Sequence, residues 1–331
     1  MKTPRVTMRQ VAAEAGVGLM TVSYTYTRPE RVAAATRERV LEAASRLGYS
    51  GPDPVARSLR SGTIGNLGVV LGEHLPYAFE DPQAARFLAG VSRVCVEHRL
   101  GLVLIPNTGE RDDVDRVREA AVDGFVVWTT VDDDPVLDAI AATGRPAAIQ
   151  GGPAAPGVTV VAPDDRAAAH AMAAHLLEGA EAPLILSHPL DRRRWSGLVR
   201  GPETDVPYPI TRLRLAGYRD AVEAAGRVWS DVPVAVVGRH TREDGRRATR
   251  MALEEFQPDA VLAMSDQLAA AALDILGPGT RVSGWDDSSV AAELGFPSVR
   301  QSLFDQGVAC ARIAAGVATA APPVPWELAL R

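Results

Sequence analysis

The chain has little cysteine. Its 331 residues contain only Cys95 and Cys310. Both sit in helix-like apolar patterns, which assigns them to the core and argues against a disulfide framework or a cysteine metal site. Long hydrophobic runs are missing too. Nothing approaches the roughly 18 consecutive apolar residues that span a bilayer. The basic opening MKTPRVTMRQ is not followed by the apolar stretch of a secretory signal. The expectation is a cytoplasmic protein with no membrane partner. Catalytic signatures are equally scarce, with no GxSxG, P-loop, HExxH or CxxC. The six histidines (74, 98, 170, 175, 188 and 240) lack ligand spacing. His170 and His175 are five apart, so they do not share a helix face. Acidic runs such as Asp132-Asp133-Asp134 read as solvated loop ends. Together these absences point away from an enzyme, a metal site and a bound cofactor.

What is present is globular in composition, with 47% hydrophobic and 23% charged residues. The length suggests two or three domains. Charge is divided unevenly. Residues 1–62 carry ten Lys/Arg against five Asp/Glu, a net of +5, so the remainder carries −11 of the chain's total −6. A basic head on an acidic body suits a polyanion partner for the head, although a solvated arm explains the same charge.

Beyond residue 62, short β-branched runs alternate with amphipathic stretches. The runs lie at 64–71, 102–106, 124–128, 146–150, 158–161, 184–187, 234–237, 260–264 and 281–285. The helical stretches lie at 81–99, 164–178, 212–225 and 242–256, while 191–209 reads as a loop. Alternation of this kind builds βα units and parallel sheets. Nine or more strands are too many for one small sheet, so the expected α/β architecture is two doubly wound parallel-sheet subdomains. Such sheets bind ligands beyond the carboxyl ends of their strands. The residues found there include Tyr77, Phe79, Trp128, Gln150, Ser265, Asp266 and Asp286. Aromatic faces mixed with hydrogen-bonding groups suit a small polyhydroxylated or heterocyclic molecule. For each aromatic, core packing is the competing reading.

The head begins VTMRQVAAEAGVGLMTVSYTYT. Thr7 is a plausible N-cap for a helix over Met8–Ala15, with Gly16 in the turn behind it. A second helix over 19–26 and a third over Ala34–Leu47, stopped by Gly48, close a small core of Val11, Ala15, Val17, Val22, Val40, Ala44 and Leu47. Helices this short are marginal alone. Packed together they form a three-helix helix-turn-helix headpiece whose second helix can enter a major groove.

These residues resemble the lactose/galactose repressor (LacI/GalR) family. The resemblance rests on VTMRQVAAEAGV, TVS at 21–23, TRERV at 36–40, LGY at 47–49 and ARSLR at 56–60. It continues through RLAGYRDAVEAAG at 214–226, SDQLA at 265–269, SGWDD at 283–287, SVRQS and WELALR. It implies a headpiece over 1–51, a hinge helix or linker over 52–63, and a periplasmic-binding-protein-like domain over 64–331. Within the last, one subdomain takes about 64–162 and 298–322, the other about 163–297 and 323–331. It further implies a homodimeric, allosteric transcription repressor that binds a pseudo-palindromic DNA operator and a small-molecule effector, most simply a sugar.

On the second helix, Leu19, Met20, Ser23 and Tyr24 share one face. If exposed, Leu19 and Met20 can meet thymine methyls but cannot make bidentate base contacts. Ser23 and Tyr24 can donate to phosphate or a base edge. Phosphate positioning falls to Thr7, Thr21, Arg28 and backbone amides, including the chain at Gly18. The family's Ser caps are replaced by Gly18 and Ala33, and Asp53 puts a negative charge near DNA. In the hinge match, Ala56, Leu59 and Arg60 are the DNA-contacting positions, with Leu59 as a minor-groove wedge. A plain linker is the alternative. In the cleft, the resemblance assigns ligand contacts to Arg214, Ser265 and Asp286. Asp266 is the expected cap of the following helix, and an internal ion pair is the competing reading for Arg214 and Asp286. A cytoplasmic small-molecule sensor with altered or lost DNA recognition stands as the rival function.

Overall fold

The computed structural model describes residues 6–51, 62–72, 79, 81–277 and 279–331. The chain forms two compact units, Met1–Ile64 and Gly65–Arg331. The first holds α1 (Met8–Ala15), α2 (Leu19–Thr27) and α3 (Ala34–Leu47). A capping box starts α1: Gln10 N donates to the Thr7 hydroxyl, and Thr7 N donates to Gln10 Oε1 at 2.8 Å. Gly16 ends it in the left-handed conformation at φ 64°. Neither Gly18 before α2 nor Ala33 before α3 makes a side-chain cap. The three helices bury Val11, Ala12, Val22, Val40, Ala43 and Ala44 against one another. Tertiary packing therefore holds elements that are too short to persist alone.

The second unit contains two sheets. The five-stranded one has the order β2-β1-β3-β4-β5, built from Asn66–Leu71, Gly101–Pro106, Gly124–Trp128, Ala147–Gln150 and Val158–Val161, all parallel. Strand alternation decides its layers. Leu67, Val69 and Leu71 of β1 face α4 (Pro82–His98) and α12 (Leu303–Ala314), whereas Val70 faces α5 (Asp112–Glu119) and α6 (Pro135–Ala142). Helices α4 and α12 meet backbone to backbone. A Cβ at Gly90 would collide with Phe304 O, and one at Gly307 with Phe87 O.

The seven-stranded sheet has the order β12-β11-β10-β9-β6-β8-β7. Its strands are β6 (Pro183–Ser187), β7 (Gly197–Arg200), β8 (Pro233–Val236), β9 (Ala260–Ala263), β10 (Arg281–Trp285), β11 (Ser298–Arg300) and β12 (Glu327–Ala329). One face carries α7 (Asp165–Leu177) and α8 (Pro209–Ala224). The other carries α9 (Arg242–Leu253) and α10 (Asp266–Leu276), with the short α11 (Ser289–Leu294) beside α10. The edges β7 and β12 are antiparallel to their neighbours.

Two expectations need correction. The stretch 191–209 is not only a loop, since β7 lies inside it and pairs with β8. Its three half-buried residues and exposed Arg200 show no apolar alternation, so only the pairing reveals the strand. The boundary expected at 298 moves to 301, because β11 pairs with β10 and buries Val299 in the core of the seven-stranded sheet. The chain thus passes between the sheets three times, after β5, between β11 and α12, and between α12 and β12. The hinge positions Ala56, Leu59 and Arg60 lie outside the described residues. Both cysteines are buried and free.

Supplying the missing hydroxyl ahead of α3 should stabilise the headpiece. Ala33→Ser is expected to add about 1 kcal/mol to helix stability. Amide hydrogen exchange across α3 should slow about fivefold in the variant; unchanged rates would show that the backbone at residue 33 cannot accept the cap.

Candidate functional site

Strand ends from both sheets converge on one cleft of about 480 Å3. Trp128 and Gln150 come from the ends of β3 and β4. His188, Met264, Ser265 and Asp286 follow β6, β9 and β10, and α8 adds Thr211 and Arg214. This is the carboxyl-end crevice that parallel sheets form.

Arg214 is 4% exposed and fixed on three sides. Its Nε donates to Asp165 Oδ1 at 2.8 Å and its Nη1 to Met264 O at 2.7 Å. Its guanidinium lies 3.7 Å from the centre of the Trp285 ring. Its ion-pair partner is Asp165 rather than Asp286. Two of its five N–H groups are thereby engaged, which leaves donors for a guest in the cleft.

Asp286 sits just past β10 at φ 97°, a conformation that side chains other than glycine rarely adopt. Strain of this kind concentrates at functional positions. Its Oδ1 accepts from Gln301 Nε2 at 2.7 Å. Burial pushes its carboxyl up to about 7; Asp266 and Asp81 push the same way, while Arg214 and the Gln301 hydrogen bond oppose them. The carboxylate is therefore poised between two protonation states near neutrality.

His188 and His240 stack with ring centres 4.0 Å apart and planes 14° from parallel. Burial holds His188 well below its ordinary value, and the neighbouring His240, Arg214 and Arg194 charges add to that. At neutral pH it is an uncharged imidazole on the cleft wall. Two other acidic groups of the cleft are already engaged. Asp134 accepts from Asn107 Nδ2 at 2.6 Å, from the Thr130 hydroxyl and from Val136 N. Asp113 accepts from Thr108 N and Glu110 N.

Several expected residues are placed differently. The helix cap after β9 is Ser265, whose hydroxyl accepts from Leu268 N at 3.2 Å, and not Asp266. Asp266 instead accepts from Ser288 N and the Ser298 hydroxyl, locking the turn after β10 to β11. Both still line the cleft. Phe79 is 68% exposed and is not among the cleft-lining residues, which corrects its assignment as a stacking face. Tyr77 lies outside the described residues. Trp128 does face the cleft, and it also packs edge-on against Phe87 at 4.8 Å. Gln301, His188 and His240 were not anticipated. Gln301 stands within SVRQS, but nothing local marks it as a cleft residue.

In the headpiece, Leu19 and Met20 are 47% and 59% exposed, so they are not core residues. Tyr24 and Thr21 are half-buried, and Thr7 and Arg28 are exposed. Ser23 is buried, which corrects the expectation that it shares the open face. The residue is small, and the helix turn around it covers it: the Thr27 hydroxyl donates to Ser23 O at 2.8 Å.

A helix-turn-helix unit joined in one chain to a two-sheet binding domain defines a class of ligand-responsive transcription regulators. Residues 7–51 match the family of bacterial regulatory proteins of the lacI type. Residues 65–318 match the periplasmic binding proteins and sugar binding domain of the LacI family. An HTH-type transcriptional regulator of Mycolicibacterium smegmatis is 35% identical over 322 residues, covering 92% of this chain and 88% of that protein. The structure of the transcriptional regulator CelR–cellobiose complex is 27% identical with a TM-score of 0.65, covering 99% of each chain. The lac repressor dimer bound to operator and the anti-inducer ONPF shares the fold, at 21% identity and a TM-score of 0.76 over 98% of each chain. The protein belongs to the LacI family of transcriptional regulators, which are not enzymes. No helix among the described residues is long and apolar enough to cross a membrane.

The Asp286 carboxyl makes stability depend on pH in a set direction. Its folded value of about 7 lies above the ordinary value of about 3.9. The folded chain therefore binds this proton more tightly than the unfolded chain does. The contribution is fully present below about pH 4 and lost as pH rises to about 7. Asp286→Asn should remove that decline in urea titrations compared at about pH 5 and about pH 8. Identical pH slopes in the variant and the parent would show that Asp286 is ordinarily ionised.

Proposed function

We propose that the protein is a cytoplasmic repressor that binds a pseudo-palindromic operator as a homodimer, and that a small molecule in the cleft controls its grip. The observation that carries this reading is the cleft itself. It pairs a buried, oriented arginine with a carboxyl poised near neutrality and a half-buried tryptophan face, in the same chain as a helix-turn-helix unit. Hydrogen-bonding groups of opposite character beside an aromatic face suit a sugar. The cellobiose held by the CelR structure supports that chemistry. The lac repressor dimer on its operator supports the two-fold arrangement.

In this scheme Arg214, Asp286, Gln150, Ser265, Asp266 and Trp128 contact the effector. Thr7, Thr21, Tyr24, Arg28 and the backbone at Gly18 position the duplex. Leu19 and Met20 read thymine methyls and DNA shape. The second reading, a sensor with altered DNA recognition, draws on the buried Ser23 and the two uncapped helix starts.

Binding to a palindromic duplex, followed by fluorescence anisotropy, separates the two. A repressor making about six phosphate contacts loses affinity on the order of a thousandfold between about 50 and about 200 mM salt. Leu19→Ala and Met20→Ala should each weaken specific binding about tenfold while leaving the salt slope unchanged. Replacing half-site thymines by uracil should reproduce that loss in the parent and add nothing in the variants. Indifference to every duplex at low salt would favour the sensor.

A further inference from the structure

Behind the cleft runs a file of three side-chain amides that joins the two sheets. Gln150 Nε2, at the end of β4, donates to Gln306 Oε1 on α12 at 3.1 Å. Gln306 Nε2 donates to Gln301 Oε1 at 3.0 Å. Gln301 Nε2 donates to Asp286 Oδ1, at the end of β10, at 2.7 Å. Gln150 and Gln306 are 3% and 1% exposed. At the head of the file, Gln150 lines the cleft, and its Oε1 is buried with no hydrogen-bond partner among the described residues.

The sense of the file follows from chemistry. An ionised carboxylate only accepts hydrogen bonds, so Gln301 must turn its NH2 toward Asp286. That choice presents Gln301 Oε1 to Gln306, which must in turn offer its own NH2. The same step repeated leaves Gln150 with its NH2 engaged and its carbonyl oxygen without a donor. A buried acceptor without a donor costs about 1–3 kcal/mol, which a suitable guest recovers.

We propose that Gln306 and Gln301 are positioning residues that hold Gln150 as a hydrogen-bond acceptor, so that the effector presents a hydroxyl or N–H to Gln150 Oε1. This rests on the cleft being the effector site. It also ties the two walls together. A proton on Asp286 turns that end into a donor, lets the three amides reverse, and presents the Gln150 NH2 to the guest instead. The charged groups facing Asp286 are Arg214 on α8, Asp266 on α10 and Asp81 ahead of α4. Protonation at Asp286 thus selects between donor-bearing and acceptor-bearing guests at a point on the opposite sheet.

The test uses the full chain with nitrogen-15 in its glutamine side chains, titrated from about pH 5 to about pH 9 to bracket the carboxyl. The amide signals of Gln150, Gln306 and Gln301 should move with one common midpoint, and Asp286→Asn should abolish it for all three. Gln306→Met, close in size and apolar, should uncouple Gln150 while Gln301 keeps titrating. Independent midpoints, or a Gln150 signal that still titrates in Gln306→Met, overturn the proposal. Cellobiose added to the parent should shift the Gln150 signal, and its Kd should rise about tenfold in Gln306→Met, a loss on the scale of one hydrogen bond. A Kd indifferent to Gln306→Met overturns the proposal. If no sugar binds the parent but the common midpoint is present, the sugar reading of the cleft fails and the amide file stands.

Discussion

The binding unit is organised around one buried cation. Arg214 ties α7 through Asp165, the end of β9 through Met264 O, and the end of β10 through the face of Trp285. Removing a guanidinium from water is costly, and a buried ion pair often contributes little net stability. What the arrangement supplies is position. A planar group held on three sides by backbone, carboxylate and ring cannot rotate, so its remaining N–H groups point in set directions. The same cation limits how far Asp286 is raised, since it opposes the burial that pushes that carboxyl toward neutrality.

The two sheets communicate through the chain crossings and through side chains. Gln301 and Ser302 form the crossing between β11 and α12, and the amide file runs through that point. At the rim, Asp132 N donates to Pro207 O at 3.0 Å, Arg212 pairs with Asp132, and Arg192 with Asp133. Ion pairs this exposed are weak individually. They suit a mouth that opens and closes more than one fixed shut. A guest that draws the two walls together has differential contacts in the open and closed forms, and such contacts are what shift a conformational equilibrium.

Much of this was legible in the residues. The headpiece was readable because its punctuation is local: Thr7 with Gln10, Gly16 and Gly48 mark helix ends by backbone chemistry alone. The main parallel strands announced themselves as β-branched runs. Strands β7 and β12 did not, because a short antiparallel edge is defined by its partner and not by its own pattern. Arg214 is legible only through a resemblance, whereas Asp286 is marked by its place after a strand as well, and the structure adds how each is held. Phe79 and Ser23 were misplaced for the same reason. Exposure depends on the turn of chain around a residue, which spacing along one helix or after one strand cannot report. The glutamine file was invisible, since Gln150, Gln301 and Gln306 meet only when the crossing brings α12 against β4. The stacked pair of His188 and His240 was hidden in the same way.

The proposed function requires that one molecule in the cleft and one duplex at the headpiece be thermodynamically coupled. The most direct measurement is a closed binding cycle on the full chain. Duplex affinity is measured with and without saturating sugar, and sugar affinity with and without saturating duplex. Linkage requires the same factor in both directions, about 5-fold to about 150-fold for a typical allosteric protein. A factor of one in either direction, with both ligands bound, would contradict the account.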